Sequence, residues 1–199
     1  MAEQSRPLRA DAARNRARVL QVAYETFAAE GLAVPIDEIA RRAGVGAGTV
    51  YRHFPTKESL FQAIVADRMG HLIDVARGMA ADDPGQGLFK FLHYMLEEGS
   101  ADQGLADALA GIGIDLGASV PDGEREFMQM LAELLAAAQA AGCVRSDVAA
   151  KDVKTLLVGL QAMQRYRGDD AELVFRIVLD GLASSPGQFP AGSRDCLSR

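Results

Sequence analysis

The sequence predicts an all-α fold of about nine helices, a small N-terminal helix-turn-helix module followed by a larger helical domain. Apolar residues recur at helical spacing along nearly the whole chain, with no convincing strand alternation and no internal repeat. Glycines and prolines fall where helices should start and stop. The stretch Pro35–Lys57 holds two short helical patterns split by a three-residue turn, Gly44-Val45-Gly46.

The first helix runs from about Asp11 to Glu30, with Leu20, Ala23 and Phe27 at helical spacing and Gly31 as its left-handed cap. The second starts near Pro35, with Asp37 and Glu38 in the first turn where the helix dipole favours them, and ends at Gly44. The third is short, from about Ala47 to Phe54. Thr56 can cap a long fourth helix through Leu60, Phe61, Ile64, Val65, Leu72 and Ile73, which breaks at Asp82-Asp83-Pro84-Gly85. The fifth carries Leu88, Phe89, Leu92, Met95 and Leu96, and a shorter one Leu105, Leu109 and Ile112. After a glycine-rich stretch, a strong helix holds Phe127, Met130, Leu131, Leu134 and Leu135 and closes at Gly142. Asp147 is read as the cap of the next, which carries Val153, Leu156, Leu157, Leu160 and Met163. The short turn Arg167-Gly168-Asp169 makes the last helix, with Leu173, Val174, Ile177, Val178 and Leu182, its antiparallel neighbour. The domains are read as residues 1–57, 58–184 and a flexible tail, 185–199.

A chain of 199 residues that is 49% apolar can bury a proper core, which excludes wholesale disorder. No apolar run approaches the roughly 20 residues of a membrane span, and arginines interrupt the N-terminus where a secretory signal would be apolar. Cys143 and Cys196 have no ligand-spaced partner, so the expected compartment is the cytoplasm and neither a disulfide framework nor a zinc site is expected. Charge divides unevenly. Residues 1–57 hold nine Lys/Arg against six Asp/Glu, a net +3; the remainder holds 12 against 21, a net −9. A basic head on an acidic body suits a head that meets a polyanion and a body that does not.

Within Pro35–Lys57, Ile39, Ala40, Val45 and Val50 are expected to point inward and fix the angle between the two short helices. The outer face of the second then carries Ala47, Gly48, Thr49, Arg52 and His53, with Tyr51 at its edge. Little bulk at the N-terminus lets such a helix enter a major groove deeply.

The head resembles the tetracycline-repressor (TetR) family of bacterial transcription regulators. The resembling residues are Arg18-Val19-Leu20, Ala23, Phe27-Ala28 and Gly31, then Asp37-Glu38-Ile39-Ala40 and Ala43-Gly44-Val45. They continue with Gly48-Thr49-Val50-Tyr51-Arg52-His53-Phe54, Lys57-Glu58 and Leu60, about the first third of the chain. The resemblance implies a DNA-binding head and a helical ligand-binding and dimerisation domain. It places Thr49 on a phosphate or thymine methyl and Tyr51 on a phosphate. Arg52 either reads guanine or holds a phosphate, and His53 either touches DNA or packs between helices. Lys57, at the start of the fourth helix, is a phosphate ligand, and one or two of Arg14, Arg16 and Arg18 join it. Two departures stand out. Val34-Pro35 and Gly46 occupy places where the family often has hydroxyl residues that cap helices and touch phosphate.

Other signals fail on spacing. Gly44-x-Gly46-x-Gly48 follows a helix, and Gly111-x-Gly113 has Leu116 where a third glycine belongs, so neither is a dinucleotide loop. His53, His71 and His93 lack metal-ligand spacing, and there is no Gly-x-Ser-x-Gly. Glu97-Glu98 and Asp82-Asp83 read as solvated charge. No enzyme activity, cofactor or metal is expected.

For the body, Phe61, Ile64, Met69, Phe89, Leu92 and Met95 are candidate lining residues of an effector cavity, with Ile112, Phe127 and Met130. Each also suits ordinary core packing. Gln161 and Arg165 are candidate polar contacts. The effector is expected to be small and mostly apolar. Leu156, Gly159, Leu160 and Met163 on one helix, and Val174, Ile177, Val178 and Gly181 on the last, are candidates for a homodimer interface built as a four-helix bundle. One short recognition helix reads too few bases, whereas two held about 35 Å apart read a pseudo-palindromic operator in double-stranded DNA. The function read from the sequence is a ligand-responsive repressor. The alternatives are an activator, or a regulator without ligand, and a small-molecule carrier or protein-interaction module that has lost specific DNA binding.

Overall fold

The computed structural model describes residues 5–97, 120–167 and 172–184. These form eight helices: α1 (Ser5–Glu30), α2 (Ile36–Ala43), α3 (Ala47–His53), α4 (Lys57–Asp82), α5 (Gly87–Glu97), α6 (Pro121–Ala140), α7 (Ala150–Arg167) and α8 (Glu172–Leu182). One isolated bridge joins Val144 to Ala183. The fold class is therefore all-α, as the periodicity predicts. The expected helix through Leu105, Leu109 and Ile112, the turn after Arg167 and the tail from Ser185 lie outside the described residues.

The chain forms two compact units, Met1–Leu72 with Ala101–Arg125, and Ile73–Ser100 with Glu126–Arg199. Both α4 and α6 run through the division.

In the first unit, α1 contributes Val19, Leu20, Ala23, Tyr24 and Phe27 to a core completed by Ile36, Ile39, Ala40 and Ala43 of α2 and Val50 of α3. Leu60, Phe61, Ile64 and Val65 of α4 close it. The i, i+4, i+8 row on α1 is the helical stripe that buries one face. Phe27 meets Phe61 edge-on, with centroids 4.9 Å apart. Helix α1 begins at Ser5, six residues before the Asp11 expected from apolar spacing. Its N-terminal stretch has no apolar stripe to betray it.

In the second unit, α5 is buried through Leu88, Phe89, Phe91, Leu92, Met95 and Leu96. It packs against α7. Asp83 starts α5, accepting the Gln86 N–H on its side chain at 3.2 Å and the Gly87 N–H on its carbonyl at 2.8 Å. Gly87 lets the end of α4 and the start of α5 touch: a Cβ there would stand 2.9 Å from the Ala80 Cα. Backbone cannot yield as a side-chain tip can. Gly87→Ala is therefore expected to destabilise the protein by about 1–3 kcal/mol, the usual range for overpacking. A thermal melt unchanged from wild type would contradict this.

The cap of α7 corrects the sequence reading. Asp147 does not cap the helix; it accepts from Arg145 Nε and Nη2 at 2.6 and 2.7 Å. Asp152, inside the first turn, reaches back to the Ala149 N–H at 2.9 Å. That is the return half of a capping box, available to any carboxylate three residues into a helix.

Candidate nucleic-acid interface

Helix α2 ends because Gly44 adopts the left-handed conformation, φ 64° and ψ 34°. Its N–H donates to the Arg41 carbonyl at 3.1 Å, and the Val45 N–H donates to the Ala40 carbonyl at 3.0 Å. This pair of bonds is a Schellman motif, which satisfies the last carbonyls and turns the chain sharply. The space a Gly44 side chain would need is filled by the Arg18 guanidinium from α1. Ile39, Ala40 and Val50 are fully buried and Val45 is half-buried, so the two short helices are locked at a fixed angle as expected.

Val50 is the single buried residue of α3. Its other face is open: Gly48, Tyr51, Arg52 and His53 are exposed, and Ala47 and Thr49 half-buried. Tyr51 keeps 44% of its surface in solvent, a large exposed aromatic on a helix seven residues long. Neither Pro35 before α2 nor Gly46 before α3 makes a side-chain cap bond. Helix α4, by contrast, is capped reciprocally. The Ser59 N–H donates to Thr56 Oγ1 and the Thr56 N–H to Ser59 Oγ, both at 3.1 Å.

The cations of the head sort into two sets. Arg41 donates to Glu38 through Nε at 2.7 Å and Nη2 at 2.6 Å. Arg42 donates to Glu38 at 2.7 Å and also to Glu30 at the end of α1. Arg14 pairs with Asp11. Among the described residues, no carboxylate pairs with Arg16, Arg18, Arg52 or Lys57. Lys57 Nζ lies 5.6 Å above the Phe27 ring, and burial pushes its ammonium below its ordinary pKa. The Arg18, Arg52 and Lys57 charges thus remain available to an anion, whereas those of Arg41 and Arg42 are spent on carboxylates. The Glu38–Arg41 and Glu38–Arg42 pairs follow the i, i+3 and i, i+4 rule and were readable in the sequence; Glu30–Arg42, twelve residues apart, was not.

The two arginines hold the Glu38 carboxyl down to about 2, Arg41 contributing most. A depressed carboxylate pKa gives stability that is present above about 4.5 and lost as pH falls toward 2. Glu38→Gln is therefore expected to melt below wild type at neutral pH, with the gap closing between pH 4.5 and 2. A gap that stays constant across that window would show that the pairs contribute nothing.

Two family models match the chain. One, described as bacterial regulatory proteins of the tetR family, covers residues 19–64. The other, described as the C-terminal domain of SbtR-like transcriptional regulators, covers residues 83–184, just over half of the chain. The chain belongs to the TetR family. It is thus a DNA-binding transcriptional regulator, and α2–turn–α3 is its helix-turn-helix. The solved TetR regulatory protein from Mycobacterium vanbaalenii is 56% identical, covering 89% of this chain and 99% of that one, with a TM-score of 0.76. The TetR regulator SCO0520 from Streptomyces coelicolor is 32% identical over 84% of this chain and 98% of its own, with a TM-score of 0.66. The regulator SrpR of Pseudomonas putida is 42% identical over 65 residues, 32% of this chain and 30% of its own length. TtgW, from the same species, has the same identity over 65 residues, 48% of its length. The chain thus spans 30% and 48% of the length of these two curated relatives.

In this TetR-family regulator, the candidate effector residues divide between the two units. Phe61 and Ile64 sit in the core of the first, with Phe27. Met69 lies beside Gly123, its Sδ 2.7 Å from where a Cβ would stand. Phe89, Leu92, Met95 and Met130 are buried in the second, and Phe127 is half-buried 6.3 Å from Phe91. Ile112 and the side chains of Gln161 and Arg165 lie outside the described residues. Of the candidate dimer residues, Leu160 is buried, Leu156, Met163, Val174 and Val178 are half-buried, and Gly159, Ile177 and Gly181 are exposed. Val158, Tyr166 and Leu173 are also exposed, at 58%, 90% and 64%. Sequence reasoning missed these three, because a stripe of apolar residues does not say which of its edges faces out. Among the described residues no helix is long and apolar enough to cross a membrane, and no His, Cys, Asp and Glu cluster fit to hold a metal ion is present.

Proposed function

We propose that this regulator is a ligand-responsive repressor that binds a pseudo-palindromic operator as a homodimer. The observation that carries the reading is the open face of α3, bordered by cations that have no carboxylate partner among the described residues. Ala47 and Gly48 admit the helix to the major groove, Thr49 holds a phosphate or a thymine methyl, Tyr51 holds a phosphate, and Arg52 reads guanine with its two-pronged guanidinium. Exposed His53 borders the same groove, and Lys57 holds phosphate at the start of α4. Residues 1–57 form the DNA-binding part, and 58–184 hold effector and partner subunit.

The exposed apolar residues Val158, Tyr166, Leu173 and Ile177 support pairing of α7 and α8 with a second copy, because isolated monomers rarely leave so many large apolar side chains in water on one helix pair. The effector is a small, mostly apolar molecule, favoured by the methionine and phenylalanine side chains Met95, Met130 and Phe127. It lowers operator affinity by binding the DNA-incompetent conformer better, and α4, unbroken from Lys57 to Asp82, carries the change. A coupling of about 1–3 kcal/mol is typical.

The test is a binding titration against the DNA upstream of the protein's own gene. Arg52→Ala is expected to cost about 1–3 kcal/mol and relax preference at one base position. Lys57→Ala should weaken binding to all sequences alike and flatten the salt dependence by about one unit of slope. Equal losses of specificity from both changes would overturn these roles. The missing hydroxyl caps at Pro35 and Gly46 favour a second reading, a carrier or interaction module without DNA binding. Failure to bind any duplex at low salt would establish it.

A further inference from the structure

The DNA-binding part carries its positive charge almost wholly on arginine. Of the nine Lys/Arg in residues 1–57, eight are arginines and one, Lys57, is a lysine. The other lysines, Lys90, Lys151 and Lys154, lie in the body. A guanidinium keeps its proton and has no lone pair to offer, whereas an ammonium that gives up its proton becomes a nucleophile. Chemistry that attacks side-chain amines therefore has a single target in residues 1–57.

The surroundings of that amine set it apart from the others. Lys57 is half-buried, with Nζ 5.6 Å from the centre of the Phe27 ring. Among the described residues no carboxylate pairs with it. Burial lowers its pKa, against a smaller opposing pull from the Glu58 charge. Lys90, by contrast, has its ammonium 3.9 Å from the Asp83 carboxylate, and Lys151 is exposed. A lysine half withdrawn from water, with no counter-ion against it, is the kind that reacts near neutral pH.

We propose that Lys57 is an acylation site, at which a small activated acyl donor, an acyl phosphate or an acyl thioester, switches off DNA binding. The reactivity stands on the surroundings of the amine; the switch rests on the reading above of Lys57 as a phosphate ligand. The neutral Nζ lone pair attacks the acyl carbonyl carbon and forms an N–C bond. The bond from that carbon to the phosphate oxygen or the thiol sulfur breaks, phosphate or thiolate leaves with the electron pair, and Nζ gives its extra proton to water. The product is a neutral amide, which has lost both the charge that faces a DNA phosphate and the cation that sits over Phe27. Bound operator covers the same amine, so the DNA-free regulator is the form that reacts.

The experiment treats the full-length protein with acetyl phosphate in one arm and with an acetyl thioester in the other. Peptide mass spectrometry follows each lysine, and anisotropy follows binding to duplexes that the untreated protein selects from a random pool. Lys57 is expected to be labelled about threefold or more faster than exposed Lys151 in at least one arm, which identifies the donor. Bound duplex should protect Lys57 and leave Lys151 unprotected. Affinity should fall about tenfold in step with Lys57 occupancy, and the salt slope by about one unit. Lys57→Arg, compared with itself before and after treatment, should lose no affinity. Labelling of Lys57 no faster than Lys151 in both arms overturns the acylation site alone. An equal loss of affinity in treated Lys57→Arg overturns the switch. Rapid labelling of Lys57 that leaves affinity intact overturns its role as a phosphate ligand and the switch with it. Failure of the untreated protein to retain any duplex overturns the α3 reading itself.

Discussion

Gly48→Glu is expected to abolish operator binding while leaving the head folded. Gly48 lies in the first turn of α3, exposed, and a Cβ built on it meets nothing within 4 Å. No positive φ and no close neighbour among the described residues calls for glycine there. Glycine in a helix nonetheless costs up to about 1 kcal/mol relative to alanine. The protein tolerates that cost at a surface position, which makes sense if a partner's surface must come close to the backbone. A glutamate in the first turn suits the helix dipole, so stability should hold or rise. The same carboxylate would stand among phosphates and wedge the backbone away from the base edges. The expected loss is on the order of 100-fold or more in affinity, about 2.7 kcal/mol. Gly48→Ala separates bulk from charge: it should raise the melting temperature by about 2–4 °C yet bind about tenfold more weakly. Anisotropy titrations beside thermal melts test both, and wild-type affinity in Gly48→Glu would show that α3 does not enter a groove.

The helix-turn-helix was legible because its constraints are local. A left-handed Gly44, a small Ala40 and inward Ile39 and Val50 act within a dozen residues, and the structure places each as the spacing implies. Contacts between distant segments were less legible. Apolar spacing on α4 marks Phe61 and Ile64 as buried, but it cannot say against what; they face Phe27 and the α1 stripe. The start of α1 escaped because periodicity detects an apolar stripe, and the sequence Ser5–Arg18 carries none. Asp147 and Asp152 are chemically equal candidates to cap α7, and only the path of the chain, which turns Asp147 toward Arg145, decides between them.

Phe27→Ala should unfold the head at temperatures where wild type is intact, and Phe27→Leu should reveal what else the ring does. Phe27 is 2% exposed and touches both the edge of Phe61 and the ammonium of Lys57. Truncation to alanine leaves a cavity among α1 and α4 and is expected to cost about 3–5 kcal/mol. Domains are stable by only about 5–15 kcal/mol, so that loss is a large fraction of the whole. Leucine keeps most of the volume, at a cost of about 1 kcal/mol, but offers no π face. The cation–π attraction, about 0.5–1 kcal/mol, disappears, and Lys57 loses the surface that holds its ammonium at the start of α4. If that placement aims Lys57 at phosphate, Phe27→Leu should weaken binding to all duplexes alike, by less than Lys57→Ala does. The double variant should then be no worse than Lys57→Ala alone, since the ring acts on DNA only through the lysine. Independent, additive losses would instead mean that Phe27 serves the interface by stiffening the core, and that the position of Lys57 is set elsewhere.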